Sequence, residues 1–195
     1  MNKILIISIV ALICFSSCST NKKNNNGDAV QIEEQMSDSL TENTDERGYI
    51  VNINDKAPEF TIKYIDGRTE QLSNLKGKTV MLQFTASWCS VCRKEMPFIE
   101  SDIWQKHKNN ENFVLIGIDL KEDAETVGKF VKSTGVTYPI TLDEDGKIFE
   151  LYAEKDAGVT RNILIDKNGK IEFLTRLYDE IEFENLKQHI EKLLE

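Results

Sequence analysis

Histidine is scarce in this chain, two in 195 residues, and cysteine is nearly so, with four. His107 and His189 fall on separate segments, and no second CxxC accompanies Cys89 and Cys92, so the four-ligand set of a structural zinc site is missing. Cys14 and Cys18 lie in the N-terminal stretch, which leaves one cysteine pair in the body of the chain and excludes a larger disulfide framework. An inert staple is a poor use for that pair, because closing so short a loop removes little unfolded-state entropy. Positive charge is in the minority: 24 Lys and Arg against 33 Asp and Glu give a formal charge of −9. No basic cluster stands out, which excludes a nucleic-acid partner held through phosphates. The main apolar run, Ile4 to Phe15, falls short of the roughly 20 residues a membrane-spanning helix needs. There is no internal repeat, so a solenoid is excluded as well.

What is present begins with that run. Lys3 precedes it, and Ser16, Ser17 and Cys18 follow, the layout of a secretory signal. The ending FSSC resembles a bacterial lipoprotein signal, although Phe15 stands where leucine is usual. The resemblance implies that residues 1–17 are cleaved off and that Cys18 carries lipid; a plain cleavable signal is the alternative. Either places the chain in the cell envelope, where disulfides persist. Residues 18–48 are almost wholly polar and cannot bury enough surface to offset the entropy of ordering. They read as a lipid-anchored flexible tether, with one domain over 49–195.

Within that domain the hydrophobic period switches repeatedly. PEFTIKYIDGRTEQL reads as a β-hairpin closed at Asp66-Gly67, and KTVMLQFTA as a buried strand. SVCRKEMPFIESDIWQKHK has helical spacing; NFVLIGIDL is a second buried strand, followed by a helix that ends at Gly135. A short strand at YPITL, a helix around KIFELYA and a strand pair joined at Asn168-Gly169 come next. The chain closes on a helix whose expected apolar stripe is Ile181, Leu186, Ile190 and Leu193. This order predicts an α/β fold with a mixed sheet.

A CxxC that opens a helix brings both sulfurs to one face. Cys89 then sits at the helix N-terminus, where unpaired N–H groups and the helix dipole favour a thiolate, while Cys92 lies one turn in. This asymmetry makes Cys89 the nucleophile and Cys92 the resolving thiol. Arg93 and Lys94 are expected to point to solvent. Gln83, six residues before Cys89, is a neutral amide and cannot serve as a base.

The stretch from APEFTI through GRTEQLSNLKGKTVMLQFTASWCSVCRKEMPFIE resembles the TlpA/ResA-type branch of the thioredoxin superfamily, over roughly Val51 to the C-terminus. Trp88-Cys89-x-x-Cys92 with Pro97 five residues on is its most specific part. The resemblance implies a thioredoxin-like α/β fold: a mixed central sheet flanked by helices, with an N-terminal hairpin extension. It implies an envelope thiol–disulfide oxidoreductase, in the first place a reductase, working without a cofactor or metal. The implied partners are disulfide-bearing envelope proteins and a membrane thiol donor, the domain lying in the periplasm. Glu95 matches a glutamate that moves protons beside the cysteines. Trp88, Thr160 and Arg161 match the substrate-docking region, with Thr160 at a position usually held by a cis-proline; none of Pro58, Pro97 and Pro139 can fill it. Two other classes stay open. A peroxiredoxin-like enzyme resembles PxxxTxxC, but Ala86 occupies the threonine position and Thr85 falls one residue early. A non-enzymatic redox-sensing or copper-handling module would use the same thiols, since copper(I) favours thiolates.

Overall fold

The computed structural model describes Arg47 to Glu195, so the signal, Cys18 and most of the tether lie outside the described residues. Arg47 and Gly48, expected at the tether's end, already belong to the packed fold. The Arg47 guanidinium donates to Glu182 and to the Leu174 carbonyl, and the Gly48 carbonyl accepts from Glu154 N–H.

A hairpin of β1 (Thr61–Lys63) and β2 (Thr69–Gln71) precedes the main sheet. That sheet is built from β3 (Thr79–Thr85), β4 (Phe113–Leu120), β5 (Ile140–Asp143), β6 (Arg161–Ile165) and β7 (Ile171–Arg176), in the order β5-β4-β3-β6-β7. β3 runs parallel to β4, and β4 to β5; β6 is antiparallel to β3 and β7. This is a thioredoxin-like α/β fold with an N-terminal two-stranded extension. The strands were readable because β3 and β4 are buried along nearly their whole length, and strands buried on both faces appear as continuous apolar runs.

Side chains alternate across a strand, and here the alternation sorts the core. Val80, Leu82, Phe84, Ile116, Ile118, Ile163 and Ile165 join the cluster that contains Tyr49, Ile62, Phe149 and Tyr152 from the extension and loops. Met81, Leu115, Leu164 and Ile140 join the cluster that contains helix residues Met96, Val127, Phe130, Leu186 and Ile190.

Helix α1 (Ser90–Phe98) carries Pro97 and passes directly into a π-helical turn, Ile99–Trp104, before α2 (Gln105–His107). The wider turn follows the residue that removes a donor and crowds the Arg93 carbonyl, a common origin of such irregularities. α3 (Ala124–Thr134) is capped by Asp123 and ends on Gly135 in a left-handed conformation, as a helix C-terminus favours.

Two expectations are corrected. The helix around KIFELYA is only a 3-10 turn, Phe149–Leu151. The chain beyond it is drawn into pairing with the extension instead: Ile50 N–H donates to the Tyr152 carbonyl, and Ala153 bridges Tyr49. In α4 (Glu180–Leu194) the buried stripe is Phe183, Leu186 and Ile190, whereas Ile181 is 74% exposed. Ile181 lies in the first turn, whose N–H groups are capped by Asp179, and it leaves the core-facing stripe to Phe183.

Candidate functional site

Cys89 is the residue that caps α1, in extended backbone, and its Sγ accepts the Cys92 N–H at 3.2 Å. Cys92 is fully buried, Cys89 nearly so, and both are free thiols. The Cys92 thiol, the Thr160 hydroxyl and the Cys92 and Val91 N–H groups all bond Cys89 and hold it down to about 5, against the opposing effect of burial. Cys92 moves far the other way, because its proton is shared with Cys89 and its surroundings are dry.

Thr160 enters between them. Its Oγ1 lies 3.2 Å from Cys89 Sγ and 3.2 Å from Cys92 Sγ, and the residue is buried. Arg161, its neighbour, goes elsewhere. It stands opposite Phe84 in the sheet, and its guanidinium lies 4.4 Å over the Tyr49 ring while donating to the Gly158 and Arg47 carbonyls. Consecutive residues of an extended chain point to opposite sides, so the sulfurs receive the hydroxyl and the aromatic face receives the cation. Arg161 is fully buried there; the expectation that it faces a docked substrate does not hold in this geometry. Trp88 does face outward, 65% exposed, beside Cys89. Arg93 is solvent-exposed as expected but not idle: it bonds the Ser87 carbonyl and lies over Phe130.

Glu95, one turn beyond Cys92, is only 1% exposed. Burial pushes its carboxyl up to about 7; Asn162 and Gln83 oppose the rise, and the Cys89 thiolate adds to it. Asn162 Nδ2 donates to Glu95 Oε1 at 2.7 Å and to Thr175 Oγ1 at 2.9 Å. Gln83 Oε1 accepts from Tyr138 O–H at 2.7 Å. The Gln83 amide lies near enough to favour the Glu95 anion, yet Gln83 Nε2 and Glu95 Oε2 both lack a hydrogen bond of ordinary geometry. Gly117 makes room for Ile140, since a Cβ there would stand 2.3 Å from the end of the Ile140 side chain, and it would just touch the Tyr138 ring at 3.4 Å.

Sequence reasoning missed Asn162, Tyr138 and an acidic pair, Asp119 and Glu122. Glu122 accepts the Ser87 N–H and O–H, each at 2.6 Å, two residues ahead of Cys89. Asp119 lies fully buried behind it, lifted to about 8 by burial and by Glu122. The available clue was polarity beside apolar runs: Gln83 interrupts the run of β3 and Asn162 precedes that of β6, and they are partners across the two strands. No group of three or more His, Cys, Asp or Glu among the described residues could hold a metal ion.

The family model described as Redoxin matches residues 52–190. The thiol-disulfide oxidoreductase ResA of Bacillus subtilis (strain 168) is 34% identical over 96 residues, 49% of this chain and 52% of that protein. The chain thus spans about half the length of the curated relatives it matches. The solution structure of a candidate protein disulfide isomerase from Bacteroides thetaiotaomicron is 62% identical, with a TM-score of 0.73, over 75% of this chain and 92% of that one. A candidate thiol:disulfide interchange protein DsbE from Chlorobium tepidum is 28% identical, with a TM-score of 0.65, over 74% and 99%. A match over most of the domain, on a chain that folds around one WCxxC helix, leaves one assignment: the chain belongs to the Redoxin family, among its ResA-like, thioredoxin-fold members.

Proposed function

We propose that this chain is a thiol–disulfide oxidoreductase of the cell envelope that exchanges the Cys89/Cys92 dithiol with disulfides of partner proteins. The observation that carries the reading is the placement of the two sulfurs: Cys89 Sγ caps α1 and accepts the Cys92 N–H at 3.2 Å, while Cys92 is fully buried, so Cys89 is drawn down and Cys92 pushed up. At neutral pH the pair is therefore one thiolate and one thiol. The Cys89 thiolate attacks a partner disulfide, forming a mixed disulfide and releasing one partner sulfur as a thiolate. Cys92 then loses its proton, attacks Cys89 Sγ and expels the second partner sulfur. The protein dithiol is oxidised to a disulfide, the partner disulfide is reduced, and the Cys92 proton ends on a partner thiol.

Glu95 is the group that takes and passes this proton. Its value near 7 suits both tasks at neutral pH. Trp88, exposed beside the nucleophile, meets the incoming chain. The protein acts as a reductase where a membrane thiol donor returns it to the dithiol. Kinship to ResA- and DsbE-type proteins supports the envelope setting. Anchoring through lipid on Cys18, with the domain in the periplasm, completes the proposal.

The test is trapping. Cys92→Ser should accumulate a mixed disulfide with a disulfide-bonded peptide, and Cys89→Ser should not. Equal trapping by both variants would remove the assignment of roles.

A further inference from the structure

We propose that the Thr160 hydroxyl is a catalytic group, a hydrogen-bond donor that follows the negative charge from Cys89 to Cys92 during exchange. The inference rests on the exchange reading above and adds the residue that stabilises each thiolate in turn.

A threonine hydroxyl carries one proton and two lone pairs. Oγ1 is equidistant from the two sulfurs, 3.2 Å from each, in a residue 2% exposed. Among the described residues Oγ1 hydrogen-bonds only the two sulfurs, of which Cys89 is the thiolate, so the O–H points there and the Oγ1 lone pairs remain open to the Cys92 S–H. Once Cys89 has joined a partner sulfur, its charge has left with the first partner thiolate. When Cys92 then gives up its proton, the anion lies on the other side of the same oxygen. Rotation about the Cβ–Oγ1 bond re-aims the hydroxyl, and no heavy atom moves. Cys92 attacks Cys89 Sγ, the second partner sulfur departs with the electron pair of the broken bond, and the hydroxyl ends beside a neutral disulfide.

The backbone holds the hydroxyl in this position. The Thr160 carbonyl accepts the N–H of Leu177 at 3.1 Å, and Leu177 adopts a φ of 65° to supply it. A left-handed conformation is unfavourable for leucine and persists only where the surroundings impose it. On its other side Thr160 is followed by the clamped Arg161. A side chain fixed from both directions is pre-organised for charge stabilisation.

The experiment uses Thr160→Val, Thr160→Ala and Thr160→Ser. The Cys89 thiolate is titrated by its absorbance at 240 nm. The two steps of reaction with 5,5′-dithiobis(2-nitrobenzoate) are followed by release of the coloured thiolate. Thr160→Val should raise the first thiol midpoint by about one pH unit, as expected on losing a hydrogen bond to a charged group, and slow the second release about tenfold. Thr160→Ala, which removes the hydroxyl without adding bulk, should do the same even if the valine variant folds poorly. Thr160→Ser should restore both quantities. Unchanged midpoints in the valine and alanine variants would overturn the proposal, as would a serine variant that restores neither. If the wild-type protein released no second thiolate, the exchange reading itself would fail; the titration would still decide whether Thr160 holds the charge.

Discussion

The two faces of the central sheet use the same strands for opposite purposes. On the face toward the N-terminal extension, β3 presents Val80, Leu82 and Phe84, all apolar. On the helix-covered face it presents Met81, then Gln83, then Thr85, so polarity rises toward the end that carries the cysteines. The sheet register extends that middle position into a row: Gln83 lies beside Asn162, which lies beside Thr175. Glu95 reaches down to this row from α1 through Asn162. One face therefore supplies cohesion. The other gives up part of its apolar area to hold a carboxyl whose proton is released near neutrality. Buried polar groups are costly unless paired, and this row retains unpaired atoms in Gln83 Nε2, Glu95 Oε2 and Asn162 Oδ1. The site's chemistry and its instability share one location.

The largest effect should come from the cohesive face. Phe84 meets Phe149 edge-on at 5.4 Å and Tyr152 at 5.7 Å, so Phe84→Ala should lose about 3–5 kcal/mol in denaturant unfolding. The Cys89 midpoint should stay in place. A shift comparable with that of the Thr160 variants would mean that the faces are not separable.

Next comes Glu95. Its folded value of about 7 lies above the 4.5 of an unperturbed glutamate, so the native state binds the extra proton between these limits. Stability from the neutral carboxyl is complete below pH 4.5 and is lost as pH rises through 7. Relative to Glu95→Gln, the wild-type protein should lose up to about 3 kcal/mol over that window and run parallel above it. A difference curve flat from pH 4 to 8 would return Glu95 to an ordinary carboxyl. The same substitution removes a negative charge near Cys89, so the Cys89 midpoint should fall.

The smallest effect belongs to Asn162. Asn162→Ala removes the donor that favours the Glu95 anion, costing about 1–2 kcal/mol. It should also move the Glu95-dependent step, measured as the difference from the same variant carrying Glu95→Gln, to higher pH. A step that moved down would reverse the role of the amide.

Much of this was legible in the sequence, and the parts that were not share a cause. The strands, the hairpin turn at Asp66-Gly67 and the helix stop at Gly135 depend on neighbours in the chain, and they appear where the pattern puts them. The cysteine pair was legible because its geometry is set within one helical turn. The polar row was not, because Gln83 and Asn162 stand 79 positions apart in the sequence and meet only through the strand register. Ile181 and Phe183 were confused because helical spacing alone does not say which stripe the sheet will cover. Thr160 and Arg161 were grouped as one docking element, although alternation along extended chain already required them to part.

That parting gives Arg161 a task in folding. A slip of β6 by one residue against β3 would exchange every side chain between the faces. In one direction it would carry the guanidinium to the sulfurs and put the Asn162 amide in the space between Tyr49 and Phe149. Arg161 fits its aromatic slot in one register only, with Tyr49 at 4.4 Å and Phe149 at 5.9 Å. It works as a key cut for one alignment of the strand, the alignment that also sets the threonine between the cysteines.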